Sequence, residues 1–251
     1  MNPLTADRQP CLRAIVFDLD DTLYPEHQYV QSGIRAVAAW AERQFGMPRE
    51  HVLEELENKI RTGVRNRTFD GWLAAHRLDP VRWVPEMVRV YREHNPQIAL
   101  FPELAAMLPR WRRQYRLGLV TDGYLEVQRR KIAACRLADF LDAIVCSDEL
   151  GRDAWKPSAR PFALVLQRLG VAGDEAVYVG DNPAKDFRGA KLLGMGTIRV
   201  RRPGGLHSNV EPLSDEDSPH TEVSQWSDVD AALAIFGRST AAPPYCLIER
   251  P

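Results

Sequence analysis

Four stretches of the chain carry acidic, hydroxyl and basic side chains at spacings that could bind a cation together with an anion. The first runs from Asp18 to Thr22 and contains the sequence DLDDT. Alternate residues of an extended chain face the same side, so Asp18 and Asp20 can face one space. Two nearby carboxylates repel each other unless one is protonated or a cation lies between them. Mg²⁺ suits such oxygen ligands; the alternative is an acidic turn that caps a helix.

The second stretch is Thr121-Asp122-Gly123, which precedes a helical pattern. A hydroxyl group followed by free backbone N–H groups at the start of a helix is suited to binding an anion. The simpler interpretation is that Thr121 or Asp122 only caps the helix. The stretch is therefore a candidate anion site whose weight depends on the other three stretches.

The third stretch is Lys156-Pro157. Lysine supplies a compact positive charge that suits a phosphate group or a carboxylate nucleophile. Proline prevents the chain from continuing as a regular strand and favours the start of a helix nearby. A single Lys-Pro pair usually lies on the surface, so only its position among the other stretches makes Lys156 a candidate.

The fourth stretch contains Gly180-Asp181 and, five residues further on, Asp186. Asp181 ends an apolar segment, and an acidic residue at a strand end faces the same crevice as Asp18 and Asp20. Asp181 is thus a candidate third carboxylate for a metal ion. The alternative is again a helix cap, at Asp181 itself or at the following Asn-Pro pair.

These stretches follow or end short apolar segments that are typical of buried strands. None of the five predicted strands alternates cleanly between apolar and polar residues, which favours a parallel sheet covered by helices on both faces. Helical patterns separate the later strands, so we expect a doubly wound α/β core whose site lies beyond the carboxyl ends of the strands. The predicted strands are residues 13–18, 117–121, 143–147, 176–181 and 196–200.

Residues 24–100 contain no convincing strand, but apolar residues recur there at helical spacing in four successive segments. We therefore expect a small α-helical domain inserted after the first strand. The α/β core domain would comprise residues 1–23 and 101–251, and its tail after about residue 203 would be rich in loops. Residues 203–221, rich in Pro, Gly and Ser, predict a loop, and a weak helical pattern covers 229–236.

The composition is that of an ordinary globular protein. Of 251 residues, 45% are hydrophobic and 27% charged, and 33 Lys and Arg residues nearly balance 34 Asp and Glu residues. This balance disfavours a nucleic-acid partner, and no apolar run reaches the ~18 residues of a membrane span. Charged residues interrupt the N-terminus, and the four cysteines form no CxxC pair. We expect a cytoplasmic protein with reduced thiols and no membrane partner, either a monomer or a homodimer.

Taken in order, DxDxT, Thr-Asp-Gly, Lys-Pro and GDxxxxD resemble the motifs of the haloacid-dehalogenase-like (HAD) hydrolase superfamily. The resemblance covers residues 11–200 and is greatest to the branch with a helical cap inserted between the first two motifs. It implies a Rossmann-like core and a Mg²⁺-dependent phosphatase that acts on a small-molecule phosphate monoester. A sugar phosphate, an acylneuraminate phosphate and a nucleoside monophosphate all remain open as substrates.

The resemblance also implies a role for each motif residue. Asp18 would be the nucleophile that forms an aspartyl phosphate. Asp20 would be the general acid for the leaving group and then the base toward water. Thr121, together with Asp122 and Gly123, would hold the phosphoryl oxygens.

The remaining implied roles concern charge. Lys156 would neutralise both the nucleophile and the phosphate. Mg²⁺ would be bound by Asp18, by Asp181 and by the backbone carbonyl of Asp20. Asp186 would be a further ligand through water, or it would orient Lys156.

Two regions depart from the pattern or lie outside it. The segment from Gly151 to Lys156 (GRDAWK) is longer than in the superfamily pattern, and Trp155 either shapes the cleft or packs, with packing favoured. In the resembling enzymes the inserted helices select the leaving group, and arginine suits anionic or polyhydroxylated substrates. Candidate substrate contacts are Arg61, Arg65, Asn66, Arg67, His76 and His207.

Four alternatives stay open. A 2-haloacid dehalogenase of the same superfamily would need neither the acid at Asp20 nor a metal, so Asp20 argues against it. A phosphosugar mutase would need a proton-shuttling residue in the insert, for which His76 is the candidate. A phospho-accepting receiver-like signalling module also uses Asp, Thr and Lys, but its acceptor lies on the third strand. A non-catalytic scaffold is disfavoured because the acidic and lysine residues are intact.

Overall fold

The computed structural model describes residues 11–62 and 67–237. Within them lies a six-stranded parallel sheet in the order β3-β2-β1-β4-β5-β6. The chain fills one half of the sheet through β3 and then returns beside β1 to build the other half, which confirms the predicted doubly wound α/β fold. The strands are β1 (Ala14–Phe17), β2 (Arg116–Thr121), β3 (Ala143–Cys146), β4 (Ala176–Gly180), β5 (Gly196–Val200) and β6 (Thr221–Val223).

The two central strands are covered on both faces, as their continuous apolar sequences predict. Every residue of β1 and of β4 is buried. Phe162, Val165 and Leu169 repeat on one face of helix α7 (Arg160–Leu169) and belong to the buried cluster on the sheet. Burying each such side chain contributes roughly 1.5–3 kcal/mol. The helices that accompany the sheet are α5 (Pro102–Arg112), α6 (Leu125–Ala134), α7 (Arg160–Leu169), α8 (Arg188–Lys191) and α9 (Val229–Phe236).

Helices occupy the four segments predicted between residues 24 and 100. Their apolar faces form a separate buried cluster that includes Trp72 and Met87, with Trp40, Phe45 and Trp83 packed against it. The chain accordingly divides into two compact units, of which one comprises Glu26–Ala99 and Arg129–Cys135. The other contains the described residues of Met1–Pro25, Leu100–Gln128 and Arg136–Pro251. The helices are α1 (Glu26–Phe45), α2 (Arg49–Arg61), α3 (Thr68–Ala75) and α4 (Pro80–Glu93).

Three elements differ from the expectations. The predicted loop 203–221 ends in β6, a three-residue edge strand whose sequence TEV is too short and polar to be distinguished from a loop. Helix α5 was not predicted, because Pro102 and Pro109 interrupt its pattern, yet Pro102 occupies the first turn, where no backbone donor is needed. The helix expected from Phe187 to Leu193 is reduced to the single turn of α8.

Two further expectations concern the cysteines and membranes. Cys135 and Cys146 are buried and Cys11 is exposed, while Cys246 lies outside the described residues. Across the described ranges, every helix is either too short or too polar to span a bilayer.

Candidate active site

The candidate site lies where the strand order reverses. Asp18 directly follows β1 and Asp181 directly follows β4, and these neighbouring parallel strands end at the same edge of the sheet. The backbone N–H of Asp18 donates to the carbonyl of Val179 at 2.9 Å, which fixes where the acidic side chain leaves the sheet. A doubly wound sheet opens a crevice at this point, because the helices on its two sides diverge from here.

Lys156 links two acidic residues at the centre of the site. Its ammonium group donates to Asp18 Oδ1 at 2.6 Å and to Asp186 Oδ1 at 2.7 Å. A third bond runs to the hydroxyl of Tyr178 at 3.0 Å. The side chain of Lys156 is fully buried. Burial acts to lower the pKa of Lys156, but Asp18 and Asp186 outweigh it and raise the pKa well above its usual value, so the ammonium stays charged.

Three buried carboxylates lie near the single ammonium group of Lys156, which donates hydrogen bonds to two of them. Oxygen atoms of Asp18, Asp181 and Asp186 lie within 4.8 Å of one another, and all three residues are buried. Burial raises the pKa of Asp18 to about 6, against the opposing effect of Lys156. Burial and the charges of Asp186 and Asp18 raise the pKa of Asp181 well above its ordinary value. In contrast, Lys156 and Lys185 overcome the effect of burial and hold the pKa of Asp186 below its ordinary value.

This cluster fits a divalent cation. Asp18 Oδ2 is buried and accepts no hydrogen bond, and a buried carboxylate oxygen without a partner carries a large desolvation cost. Asp181 Oδ1 accepts one weak bond, from the hydroxyl of Thr22 at 3.3 Å. A hard cation between Asp18 and Asp181 would offset both charges, and all-oxygen ligands are the set that Mg²⁺ prefers.

Asp186 lies at the back of the cluster and faces Lys156. Its Oδ2 accepts the backbone N–H of Asn182 at 2.8 Å, so both of its oxygens are engaged. A Cβ atom at Gly180 would lie 2.6 Å from Asp186 Oδ2, so only glycine lets the carboxylate approach the end of β4. Of the two roles expected for Asp186, these contacts favour orienting Lys156.

Thr121 is the last residue of β2, and Asp122 and Gly123 follow it before α6 begins. The N-terminus of α6 is bound by Asp148, whose Oδ2 accepts the backbone N–H of Leu125 at 3.0 Å. Gly123 has a φ angle of +126°, which side-chain-bearing residues rarely adopt. The carboxylate of Asp122 accepts the backbone N–H of Lys156 at 3.2 Å. Asp122 therefore joins two motifs through its side chain, while Asp148 binds the N-terminus of α6; the phosphate-binding role of Thr121, Asp122 and Gly123 stays a prediction.

Asp20 is bound by residues other than those of the acidic cluster, and the expectation that its carboxyl group faces the same space as that of Asp18 stays a prediction. Strand β1 ends at Phe17, and the following turn carries the carboxyl group of Asp20 to Tyr24 and Gln128. The acidic cluster accordingly contains no side-chain oxygen of Asp20. A ligand role for its backbone carbonyl stays a prediction.

The longer segment before Lys156 is absorbed by a short 3-10 turn at Arg152–Ala154. Trp155 is half-buried, and its Nε1 donates to Asp148 Oδ1 at 3.3 Å. The guanidinium of Arg152 lies 5.7 Å from the centre of the Trp155 ring. These contacts favour the packing role for Trp155, and the extra residues leave Lys156 within reach of Asp18.

The loop after β5 lies against the site. The backbone N–H of Leu206 donates to Asp21 Oδ2 at 2.5 Å, and the ring of His207 lies 3.3 Å from the side-chain amide of Asn182. Arg199 of β5 is fully buried beneath this loop, and its Nε donates to the carbonyl of Asp181 at 3.1 Å. The structure therefore brings His207 beside the motif residues, although its role toward a substrate stays a prediction.

Sequence reasoning missed four residues that surround the motif side chains. Tyr178 is hidden in an apolar strand, Gln128 in a helix, and Arg199 in β5, where a charged residue in an apolar segment was the available signal. Lys185 carried a signal too, since it lies within the fourth motif. Burial and Lys156 act to lower the pKa of Lys185, but Asp18, Asp186 and Asp122 raise it overall.

The candidates in the helical unit have contacts of their own. His76 Nε2 lies 2.7 Å from Glu55 Oε2, which also accepts the indole N–H of Trp72 at 2.7 Å. Arg61 donates to Asn58 on its own helix, and Arg67 is exposed. Residues 65 and 66, the rest of the predicted Arg-Asn-Arg cluster, lie outside the described residues.

The fold is that of the haloacid dehalogenase-like hydrolase family. Residues 12–194 match that family, and the chain belongs to it. The predicted family membership is thereby confirmed. The receiver-module alternative is wrong, because the match covers strands β1 to β4 together with the inserted helices.

Individual relatives agree with this assignment. The chain is 33% identical over 225 residues to a glyceraldehyde 3-phosphate phosphatase of Methanopyrus kandleri, covering 85% of this chain and 94% of the relative. It is 31% identical over 244 residues to the human N-acylneuraminate-9-phosphatase, with 88% and 94% covered. A solved HAD phosphatase of Thermococcus onnurineus has a TM-score of 0.57 at 25% identity, covering 88% of this chain and 98% of that chain. The prediction of an enzyme that hydrolyses phosphoric monoesters is confirmed at this level.

Proposed function

We propose that this chain is a Mg²⁺-dependent phosphatase that hydrolyses a small-molecule phosphate monoester through an aspartyl phosphate on Asp18. The observation that carries the proposal is the contrast between the two oxygens of Asp18. Oδ1 accepts the bond from Lys156, whereas Oδ2 is buried and accepts none. Lys156 thus holds one oxygen of the nucleophile, while the other is engaged by no protein donor in the described part of the chain.

The chain's own residues supply the positioning and charge that phosphoryl transfer requires. Asp18 attacks phosphorus, the bond from phosphorus to the leaving oxygen breaks, and Asp20 gives that oxygen a proton. Water then attacks phosphorus and gives a proton to Asp20, and the bond from phosphorus to Asp18 breaks. Thr121 and the backbone N–H groups beside it hold the phosphoryl oxygens, while Lys156 keeps its charge next to the nucleophile.

The proposed metal site comprises Asp18, Asp181 and the backbone carbonyl of Asp20, with Asp186 behind Lys156. Bound Mg²⁺ would supply positive charge against the buried carboxylates and the phosphoryl oxygens. The raised pKa values of Asp18 and Asp181 support this site, since burial and the neighbouring carboxylates disfavour the charged forms that a bound cation would stabilise.

The test begins with the purified chain, Mg²⁺ and a panel of phosphate monoesters. The panel contains p-nitrophenyl phosphate, glyceraldehyde 3-phosphate, sugar phosphates, an acylneuraminate phosphate and nucleoside monophosphates. We expect phosphate release from an aryl ester and from at least one metabolite, and none in excess chelator. Release that persists in excess chelator would contradict the metal assignment.

The nucleophile is tested by trapping the intermediate. Asp18→Asn removes the attacking charge while keeping the shape, so turnover should fall to background. Asp20→Asn removes proton transfer, worth ~10²–10⁴-fold, and with a good leaving group it should accumulate one phosphoryl group on the Asp18 peptide. A phosphoryl group on another residue, or an active Asp18→Asn variant, would overturn the mechanism.

We also propose that residues 24–100 act as a cap that selects the leaving group, in a cytoplasmic enzyme that is a monomer or a homodimer. Arg67 is the described candidate contact, since its exposed guanidinium suits an anionic or hydroxylated ester. Arg67→Gln should lower kcat/KM for the preferred metabolite by several fold and leave p-nitrophenyl phosphate hydrolysis unchanged. Equal effects on the two esters would argue against a selective role.

A further inference from the structure

The carboxyl group of Asp20 is held at both of its oxygen atoms. The hydroxyl of Tyr24 donates to Oδ1, and Nε2 of Gln128 donates to Oδ2 at 3.1 Å. Tyr24 is fully buried and Gln128 is 1% exposed, whereas Asp20 is only partly buried. The two donors therefore fix the side of Asp20 that faces the protein interior, and water cannot readily replace them.

Gln128 also binds the candidate phosphate-binding hydroxyl. Its Nε2 donates to Thr121 Oγ1 at 2.5 Å. Because the amide supplies the proton of this bond, the hydroxyl of Thr121 keeps its own proton for another acceptor. One buried amide thus fixes the relative positions of Asp20 and Thr121, two residues from different motifs.

We propose that Tyr24 and Gln128 are positioning residues that hold Asp20 in the orientation from which it transfers protons. The inference rests on the proposed phosphatase function. An aspartate carboxyl can rotate about two side-chain bonds, and a proton donor must lie within hydrogen-bond reach of the leaving oxygen. Misplacement by about 1 Å can cost ~10²-fold in rate, so two buried donors that fix the rotation act on the reaction through Asp20.

If Tyr24 and Gln128 only stabilised the fold, their substitution would have a different effect on the kinetics. Buried hydrogen bonds are made throughout protein interiors for stability alone. In that case, loss of the Tyr24 hydroxyl would lower the stability, or would affect all substrates equally. Positioning of a proton donor instead matters most when the leaving group is a poor one, because a good leaving group departs without a proton.

The test compares kcat/KM for two esters, p-nitrophenyl phosphate and the alkyl phosphate that the wild type hydrolyses fastest. For Tyr24→Phe we expect a fall of about tenfold with the alkyl ester and of less than about threefold with the aryl ester. Gln128→Met should likewise lower kcat/KM more with the alkyl ester than with the aryl ester. Because it also removes the bond to Thr121, KM should rise for both esters. Asp20→Asn sets the largest difference that can be expected between the two esters, within the ~10²–10⁴-fold range of general acid catalysis.

The double variant Asp20→Asn/Tyr24→Phe shows whether Tyr24 acts through Asp20. If it does, adding Tyr24→Phe to Asp20→Asn causes no further loss, since residues that act as a unit are not additive. Tyr115→Phe is the matched control, because it removes a half-buried tyrosine hydroxyl beside the opposite end of β2. That variant should show no split between the esters.

Two outcomes separate the proposals. Equal losses on both esters in Tyr24→Phe, or losses that add fully to those of Asp20→Asn, overturn the positioning role while the phosphatase assignment stands. A wild-type protein that hydrolyses neither ester and forms no phosphoenzyme on Asp18 overturns the proposed function and the positioning role together.

Discussion

The carboxylate of Asp122 accepts the backbone N–H of Lys156 at 3.2 Å, which joins the segment after β2 to the segment that carries the Lys156 ammonium group. The Lys156–Pro157 peptide bond that follows is cis. Because the ammonium must reach both Asp18 and Asp186, the position of the Lys156 backbone decides whether those two bonds form together. Asp122 thus contributes to the site by holding a neighbouring segment.

This relationship predicts different effects for two substitutions of Asp122. Asp122→Ala removes the acceptor, and we expect kcat to fall about tenfold, equivalent to ~1.4 kcal/mol. Asp122→Asn keeps an oxygen that can accept the same N–H group, so most of the activity should remain. Steady-state kinetics on an aryl phosphate checks this, and an Asn variant as impaired as the Ala variant would show that the charge matters instead.

The acidic cluster predicts opposite effects of one substitution with and without metal. Asp181→Asn removes a buried charge from beside Asp18 and Asp186, so without Mg²⁺ the melting temperature should rise by about 2–4 °C for each kcal/mol of relieved repulsion. Mg²⁺ should raise the melting temperature of the wild type by binding the folded state, and this rise should shrink in the variant.

Thermal unfolding in chelator and in Mg²⁺ measures both effects. The exposed Asp174→Asn is the matched control and should leave both values unchanged. If the melting temperature of the wild type were the same in chelator and in Mg²⁺, the proposed metal site would be contradicted.

The hydrogen bonds of the buried Arg199 side chain predict that replacing this residue greatly lowers the free energy of unfolding. Its guanidinium donates to the carbonyls of Asp181, His207 and Val210, at 3.1, 2.8 and 2.7 Å, and to Glu222 at 3.1 Å. Arg199→Met leaves these groups without their partner, and each buried unsatisfied group costs ~1–3 kcal/mol. We expect the free energy of unfolding to fall by about 3–5 kcal/mol in total.

Urea unfolding measures the effect of Arg199→Met. The control is Arg188→Met, which breaks an exposed pair with Glu216, and it should cost less than ~1 kcal/mol. Equal losses in the two variants would refute a special role for the buried arginine.

The environment of His220 predicts that the free energy of unfolding decreases as the pH is lowered from neutral. The backbone N–H of Thr197 donates to His220 Nδ1 at 3.1 Å, so that nitrogen must be unprotonated in the folded state. Burial lowers the pKa of His220 below the ordinary value of 6.5. As the pH falls from that value toward the folded-state pKa, the unfolded chain binds a proton that the folded chain does not, and stability is lost.

The free energy of unfolding, measured at intervals between pH 7.5 and 5, checks this sign. His220→Asn keeps an acceptor but cannot be protonated, so its stability should decline less steeply than that of the wild type. The exposed His27→Asn is the control and should follow the wild-type curve. A His220→Asn curve parallel to the wild type would show that other groups cause the decline.

The amino-acid sequence alone determined strands β1 to β5 and the edge at which the motif residues gather. Short apolar segments that end in Asp18, Thr121 and Asp181 predict a parallel sheet, and in such a sheet all carboxyl ends face one side. Each of these inferences depends on local spacing, which a sequence displays directly. The helices between residues 24 and 100 followed from periodicity for the same reason.

The tertiary structure decided which side chains share a space. Asp18 and Asp20 are two positions apart, yet Asp18 is bound by Lys156 and Asp20 by Gln128, 108 residues further along the chain. Tyr178 belongs to the site because β4 lies beside β1 and brings its hydroxyl to Lys156. Such partners are fixed by packing between distant segments, and local composition carries no trace of it. The sequence therefore located the site, and only the fold assigned its hydrogen bonds.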